Sequence, residues 1–253
     1  MADLERWRGK VALVTGASGG IGREVVRRLA AEGLRVAFCA RRDHALRELA
    51  GEVVAGGGHA LAVAADLSEE AGVRRMFGQV RERWGGVDVL VNNAGVGFNA
   101  PLLTGDPAQW RAMFDINVMA LCVATQLAVA DMTARRVAGH VIHIGSMAGH
   151  RVPPGGGVYA ASKFAVRALT EGLRQELRQA GSAVRVSCIS PGYVETGFAA
   201  HWHHGDEALG RETYGHFPVL QAEDIAEAVA WTLSTPQHMQ VHDILIRPTR
   251  QGN

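Results

Sequence analysis

Seven short apolar runs recur along the chain, each of strand length and each followed by a longer segment, several with helical spacing. They fall at residues 11–14, 34–39, 59–64, 87–91, 140–144, 184–189 and 244–246, and the helical segments include 23–31, 45–54 and 222–234. Connections this long cannot be hairpins, so successive strands must run parallel and be joined by crossover helices. The alternation therefore predicts an α/β fold: a Rossmann-like doubly wound parallel seven-stranded sheet with helices on both faces and right-handed crossovers. A chain of 253 residues with no linker is expected to form one domain, 1–253.

The first run leads at once into TGASGGIG and then into a helical pattern. Strand, glycine turn and helix in that order are the context in which a glycine motif reads as a phosphate site. Gly16 makes the tight turn, Gly20 lets backbone approach a pyrophosphate, and Gly22 lets helix and strand pack closely, with the helix N-terminus facing the anion. The spacing is wider than G-x-G-x-x-G, and a plain glycine-rich turn is the alternative. The second run ends in Ala40, Arg41, Arg42 and Asp43. Arginine here accommodates the extra phosphate of NADP, so Arg41, directly after the strand, and Arg42 beside it predict NADP(H); Asp43 keeps NAD(H) as the alternative. After the third run, Asp66 stands at a strand end, where it either touches the adenine or caps. Ser68 is the expected N-cap of the next helix, with Glu69 and Glu70 in its first turn.

The fourth run ends in Asn92, Asn93, Ala94 and Gly95, a tight turn whose amides tie neighbouring strands while cofactor passes over backbone. Asp106 and Pro107 start a helix that carries Asn117 among apolar residues. A buried amide must find partners, so Asn117 marks either a local kink with water or a satisfied core group. Tyr159 and Lys163 lie four apart, which stacks a phenol and an ammonium on one helix face. A lysine so placed favours the phenolate, bringing the phenol towards acid/base work. Ser146, just after the fifth run, is placed to hold the oxygen whose proton Tyr159 exchanges. Pro191 and Gly192 turn the chain after the sixth run, leaving Val194 and Thr196 to bond a carboxamide. Residues 197–218 are rich in aromatics and histidines without a strand period, and read as a helical lid over the substrate.

Lys+Arg 26 against Asp+Glu 25 leaves a net charge of +1, giving no general attraction to nucleic acid or an anionic membrane. The first ten residues are charged where a signal peptide needs an apolar core, and no uninterrupted apolar run approaches a membrane span. A soluble, cytoplasmic protein is expected. Cys39, Cys122 and Cys188 are far apart among apolar neighbours and read as buried thiols. His201, His203 and His204 lack the paired cysteine or carboxylate that would complete a metal site, so none is expected.

Taken together, TGASGGIG, NNAG, Asn117, Ser146, Tyr159-x-x-x-Lys163 and Pro191-Gly192 followed by Thr196 resemble the single-domain short-chain dehydrogenase/reductases, over nearly the whole chain and in that family's order. The resemblance implies that Tyr159 is the acid/base and that Ser146 orients the substrate oxygen. It implies that Lys163 lowers the tyrosine pKa and binds ribose, and that Asn117 anchors a proton-relaying water. It places cofactor contacts at Gly16, Ser18, Gly20, Ile21, Gly22, Arg41, Arg42, Asp66, Leu67, Asn93, Ala94, Gly95, Tyr159, Lys163, Pro191, Gly192, Val194 and Thr196. ERWRGKVALVTGASGGIG, SMAGHRV, ALTEGLRQELR, CISPGYVET and LSTPQHMQVHDILIRPT are similar to the branch of ketosteroid-type carbonyl reductases and insect farnesol dehydrogenases, which prefers NADP. The implied activity is reversible NADP(H)-dependent interconversion of an alcohol and a ketone or aldehyde, on a steroid, isoprenoid or other apolar substrate, by a homo-oligomer (tetramer or dimer). A catalytically idle NADP-binding sensor would need no proton relay, and a methyltransferase would want an acidic residue after the second strand. The Asn117, Ser146, Tyr159 and Lys163 set speaks against both.

Overall fold

The computed structural model describes residues 4–252; residues 1–3 and 253 of the expected domain lie outside the described residues. All seven strands form: β1 (Val11–Thr15), β2 (Arg35–Ala40), β3 (His59–Ala64), β4 (Val89–Asn92), β5 (His140–Ile144), β6 (Arg185–Pro191) and β7 (Asp243–Ile246). They make one sheet in the order β3-β2-β1-β4-β5-β6-β7, with every pairing parallel. The connections are α1 (Gly20–Ala31), α2 (Asp43–Ala55), α3 (Glu70–Trp84), α4 (Pro107–Phe114), α5 (Ala120–Ala134), α6 (Gly157–Gln179), α7 (Phe198–Trp202), α8 (Glu207–Tyr214) and α9 (Ala222–Ser234).

Side chains alternate across a strand, so the inner strands feed two cores. Ala12, Val14, Val36, Phe38, Val89, Val91 and Ile142 pack with α1, α2 and α9 through Val25, Leu29, Leu46, Leu49, Ile225 and Val229. Val11, Leu13, Ala37, Leu90 and Val141 face the other way, onto Met76, Phe77 and Val80 of α3 and Ala124, Ala128 and Met132 of α5. This two-sided burial is the reason the strands read as unbroken apolar runs.

Boundaries moved by one or two residues where backbone groups bond outside the ladder. Val87 is buried and apolar but precedes β4, because its N–H donates to Asp131 Oδ2 (2.8 Å). Ser68 is a correction. It does not cap α3, which starts two residues later with Glu69 at the N-cap and no side-chain bond there. The Ser68 N–H and hydroxyl instead bond Asp66 Oδ1 at 2.9 and 2.7 Å, closing a local turn that takes the serine out of capping.

α4 and α5 form one continuous helical run, Pro107–Ala134, joined through a π-helical segment at Asp115–Met119. By length and composition this run is apolar enough to cross a membrane, with a mean hydropathy of 1.7 over 18 residues, although the sequence shows no unbroken span. One face of it packs on the sheet through Ala120, Ala124 and Ala128. All three cysteines are free; Cys39 and Cys188 are buried and Cys122, on α5, only half-buried.

Candidate active site

The strand order reverses between β1 and β4, and their C-terminal ends open a crevice of the kind that receives ligands in open α/β sheets. Asn93 ties the two ends together. Its Nδ2 donates to Thr15 O (2.9 Å) and Gly16 O (3.1 Å), while the N–H groups of Asn93 and Ala94 donate to Thr15 Oγ1, both at 3.0 Å. The glycines are forced by this closeness. Gly16 has φ +71°, and a Cβ there would lie 2.7 Å from Ala94 Cα; a Cβ at Gly22 would lie 2.5 Å from Gly16 O. Gly20 (φ +54°) would strike Thr196 Cγ2 at 2.9 Å, so the turn also touches the segment after β6. α1 begins here with no capping side chain and no acidic residue in its first turn. Its open N–H groups and positive dipole end suit a pyrophosphate, and the cradle of close glycine backbone fits a dinucleotide.

Beyond the turn, Arg42 rather than Arg41 reaches back: its Nη2 donates to Ser18 O (3.2 Å) and Ser18 Oγ (3.1 Å). Arg41 is exposed at the end of β2, near enough to Asp66 for its charge to help lower that carboxyl, after the larger effect of the Ser68 hydrogen bonds. Leu67 is buried below, lining a cavity of about 10 Å³ with Thr15, Asn92 and Ala94. Val194 is buried in an isolated parallel bridge with Leu220. Thr196 Oγ1 accepts from Phe198 N (3.2 Å), and Thr196 lies near enough to Tyr214 of α8 to offset part of the rise that burial gives that phenol. Gly192 packs on Gln251 and Arg247 near the C-terminus.

Ser146 follows β5 and caps a short 3-10 turn, its Oγ accepting from Ala148 N (3.0 Å), and it lies near enough to Tyr159 to lower that hydroxyl. Tyr159 and Lys163 stand one helical turn apart near the start of α6, and the Lys163 Nζ lies 5.9 Å from the phenol ring centroid. Nζ donates to Ile144 O (3.0 Å), fixing the lysine to the end of β5. Burial pushes the Tyr159 hydroxyl up to about 12, against the lowering effect of Ser146, and pulls Lys163 down to about 8. The tyrosine is thus raised rather than lowered, because the cost of burying a phenolate outweighs the help of the Ser146 side chain.

Asn117 lies in the π-helical segment and is fully partnered without water: Oδ1 accepts from Val96 N (2.8 Å), and Nδ2 donates to Val96 O (2.9 Å) and Ser162 Oγ (3.0 Å). The helix is locally widened at this amide, and its side chain is satisfied by protein groups. Its role is to pin the loop after β4 to α6, one residue from Lys163.

Three features escaped sequence reasoning. Phe198 and Trp202 of α7 flank the Tyr159 ring, at centroid distances of 5.4 and 5.7 Å. Their four-residue spacing was the available signal. Tyr214 of α8 lies close enough for its charge to raise Tyr159 further. His143 on β5 sits in a buried chain in which Asn92 Nδ2 donates to Thr125 Oγ1 (2.9 Å) and that hydroxyl meets His143 Nε2 (3.2 Å). His143 Nδ1 meets Thr170 Oγ1 (2.9 Å), whose proton goes to Val166 O, so the ring proton is assigned to Nδ1. Burial, then Lys163, holds this histidine down to about 3, keeping it neutral. The lid histidines are dispersed: His201 Nδ1 faces Gly97 O (3.2 Å), His203 faces Thr213, and His204 faces Gln109.

A short chain dehydrogenase family model matches residues 10–207. The chain is 49% identical over 253 residues to dehydrogenase/reductase SDR family member 11 of Bos taurus, covering 98% of this chain and 99% of that protein. It is 42% identical over 250 residues to farnesol dehydrogenase of Aedes aegypti, covering 97% and 98%. Among solved structures, the closed form of serine dehydrogenase complexed with NADP+ superposes with a TM-score of 0.90 at 34% identity, covering 96% of each chain.

Proposed function

The chain belongs to the short-chain dehydrogenase family of oxidoreductases, and on that premise we propose that it interconverts an apolar alcohol and its ketone or aldehyde with NADP(H), using Tyr159 as acid/base. The observation that carries the reading is that Ser146 stands close enough to the Tyr159 hydroxyl to draw its pKa down, with Lys163 one turn on and held to the end of β5 beside the glycine cradle. Arg42 over Ser18, with Arg41 near Asp66, supports the 2′-phosphate of NADP over NAD. The nicotinamide cofactor, when bound, supplies or accepts the hydride.

In the reducing direction Ser146 Oγ holds the carbonyl oxygen and the Tyr159 hydroxyl delivers its proton to that oxygen. A phenol at about 12 holds its proton at neutral pH and suits the acid role; the reverse direction needs added positive charge in the site. Lys163 is mostly charged at neutral pH and orients the cofactor ribose. Asn117 fixes the Val96 loop against Ser162 and so holds the wall of the pocket. Gly16, Gly20 and Gly22 hold the pyrophosphate, and Pro191, Gly192, Val194 and Thr196 shape the carboxamide side.

Tyr159→Phe tests the reading. Turnover, followed by nicotinamide absorbance over a panel of ketosteroids, isoprenoid alcohols and small ketones, should fall by about 10²-fold or more with NADPH affinity kept. Near-normal rates would show that another group is the acid. The same reading takes the protein as a cytoplasmic homo-oligomer. Phe114, Met119 and Phe164, 39%, 56% and 40% exposed on the helical segments flanking the site, support the assembly. Mass measurement in solution checks it.

A further inference from the structure

Two glycines beside the lid have no backbone reason to be glycine. Gly156 has φ −99° and ψ 21°, open to any residue, and Gly97 is also outside the left-handed region. A glycine in an ordinary conformation enlarges the unfolded ensemble and weakens the fold. Both stand against the same ring. A Cβ at Gly97 would come within 2.4 Å of Phe198 Cζ and 3.2 Å of Trp202 Cε3; one at Gly156 would come within 3.2 Å of Trp202 Cη2 and 2.7 Å of Pro153 Cγ. Cε3 and Cη2 belong to the six-membered ring of one indole, so two separate chain segments leave room for it. The seat is reinforced by Asn99 N donating to Trp202 O (3.1 Å), and by Phe98 packed on His201 at 4.6 Å. Seated there, the indole meets Tyr159 edge to face at 79°, and Phe198 lies 6.4 Å from it, the two rings inclined by 28°.

We infer that Trp202, seated by Gly97 and Gly156, together with Phe198, sets which substrates the site accepts: carbonyls or alcohols borne on a flat apolar group whose width the indole limits. The inference rests on Tyr159 as the proton donor, since only then do these rings line the reacting carbon. Aromatic walls favour flat unsaturated faces, and the indole cannot move outward against Gly97 and Gly156 without leaving its seat.

The test compares benzaldehyde with 2-naphthaldehyde, products quantified by chromatography, in the full-length protein with NADPH. Trp202→Ala should raise the naphthaldehyde/benzaldehyde ratio of kcat/KM by about tenfold or more, because pocket-size discrimination is typically of that order. Gly97→Ala and Gly156→Ala keep the indole but put a methyl 3.2 Å behind it, so the ring must give towards Tyr159 and the ratio should fall below that of the wild type. Trp202→Leu replaces Trp202→Ala if circular dichroism shows the latter unfolded. An unchanged ratio in all of these, with Tyr159→Phe still inactive, overturns the inference and leaves the proposed function standing.

Acrylamide quenching gives a readout independent of turnover. The chain has 5 tryptophans, so the Trp202 signal is the wild-type emission minus that of Trp202→Phe. It should be partly shielded in the wild type and less quenched in Gly97→Ala and Gly156→Ala, where the added methyl presses the ring towards Tyr159. If neither aldehyde is turned over, the preference for flat apolar groups fails, while unchanged quenching in both glycine variants independently overturns the seat.

Discussion

At the N-terminal edge of the sheet, Asp88, Asp131 and Arg135 bond one another and the main chain; at the C-terminal edge, Ser146, Tyr159 and Lys163 face a crevice. Asp88 Oδ2 accepts from Val11 N (2.8 Å) and its Oδ1 from Arg135 Nη1 (2.9 Å). Asp131 Oδ2 accepts from Val87 N (2.8 Å) and Arg135 Nη2 (2.8 Å). Packing admits nothing further: a Cβ at Gly86 would lie 2.4 Å from Asp131 Oδ2. Opposite, Lys163 has one of its three N–H donors on Ile144 O, α1 carries no capping side chain, and burial holds Tyr159 and Lys163 away from their ordinary pKa values. Both edges contain buried charge. At one the bonding capacity is consumed in holding strands to helix; at the other it is left for a ligand, at a cost to stability.

Four substitutions break or sharpen the contrast, in descending effect. Asp131→Ala leaves the Val87 N–H without its acceptor and strips Arg135 of one of its two carboxylates, Asp88 remaining, and should cost about 3 kcal/mol in denaturant unfolding, with turnover per folded molecule unchanged. A matching loss of turnover would show that the two edges are coupled.

Lys163→Met should act the other way. Burial lowers Lys163 from 10.5 to about 8, so between those values the unfolded chain binds more protons and stability rises with pH. Below pH 8 the buried charge costs roughly 3 kcal/mol, at about 1.4 kcal/mol per unit. The variant should therefore be more stable than the wild type at pH 7, with the advantage shrinking towards pH 10.5, and should turn over little substrate. Equal stability across pH would contradict the burial of an unneutralised ammonium.

Arg42→Ala should raise the KM for NADPH about tenfold and leave that for NADH within about twofold, read by initial rates; one such arginine contact is worth about 1.4 kcal/mol. Ser68→Ala, at the exposed rim, should change stability by under about 0.5 kcal/mol in thermal unfolding despite its two bonds to Asp66.

The five inner strands were legible because each is buried on both faces and so reads as an apolar run, and the edge strands β3 and β7, less buried, because they stay largely apolar. Gly16 and Gly20 were legible because positive φ admits little else. Ser68 was misread because a serine before a helix bonds its own turn as readily as the helix N–H groups. Phe198 and Trp202 were seen only as part of an aromatic segment, since contact with Tyr159 joins residues some forty positions apart. His143 gave no signal at all: in a strand it looks like any interrupted apolar run, and its partners Thr125 and Thr170 come from two different helices.

Local chemistry along the chain fixed the alternation of strand and helix, the left-handed glycines, and the four-residue interval that stacks a phenol on an ammonium, because these depend on neighbours in sequence and on which faces are buried. Only the folded arrangement decided that Arg42 rather than Arg41 reaches Ser18, that Asn117 pins a loop, that burial raises Tyr159, and that an indole fills the space left by Gly97 and Gly156. Each of those depends on distances and desolvation between segments remote in the chain, which no local pattern encodes.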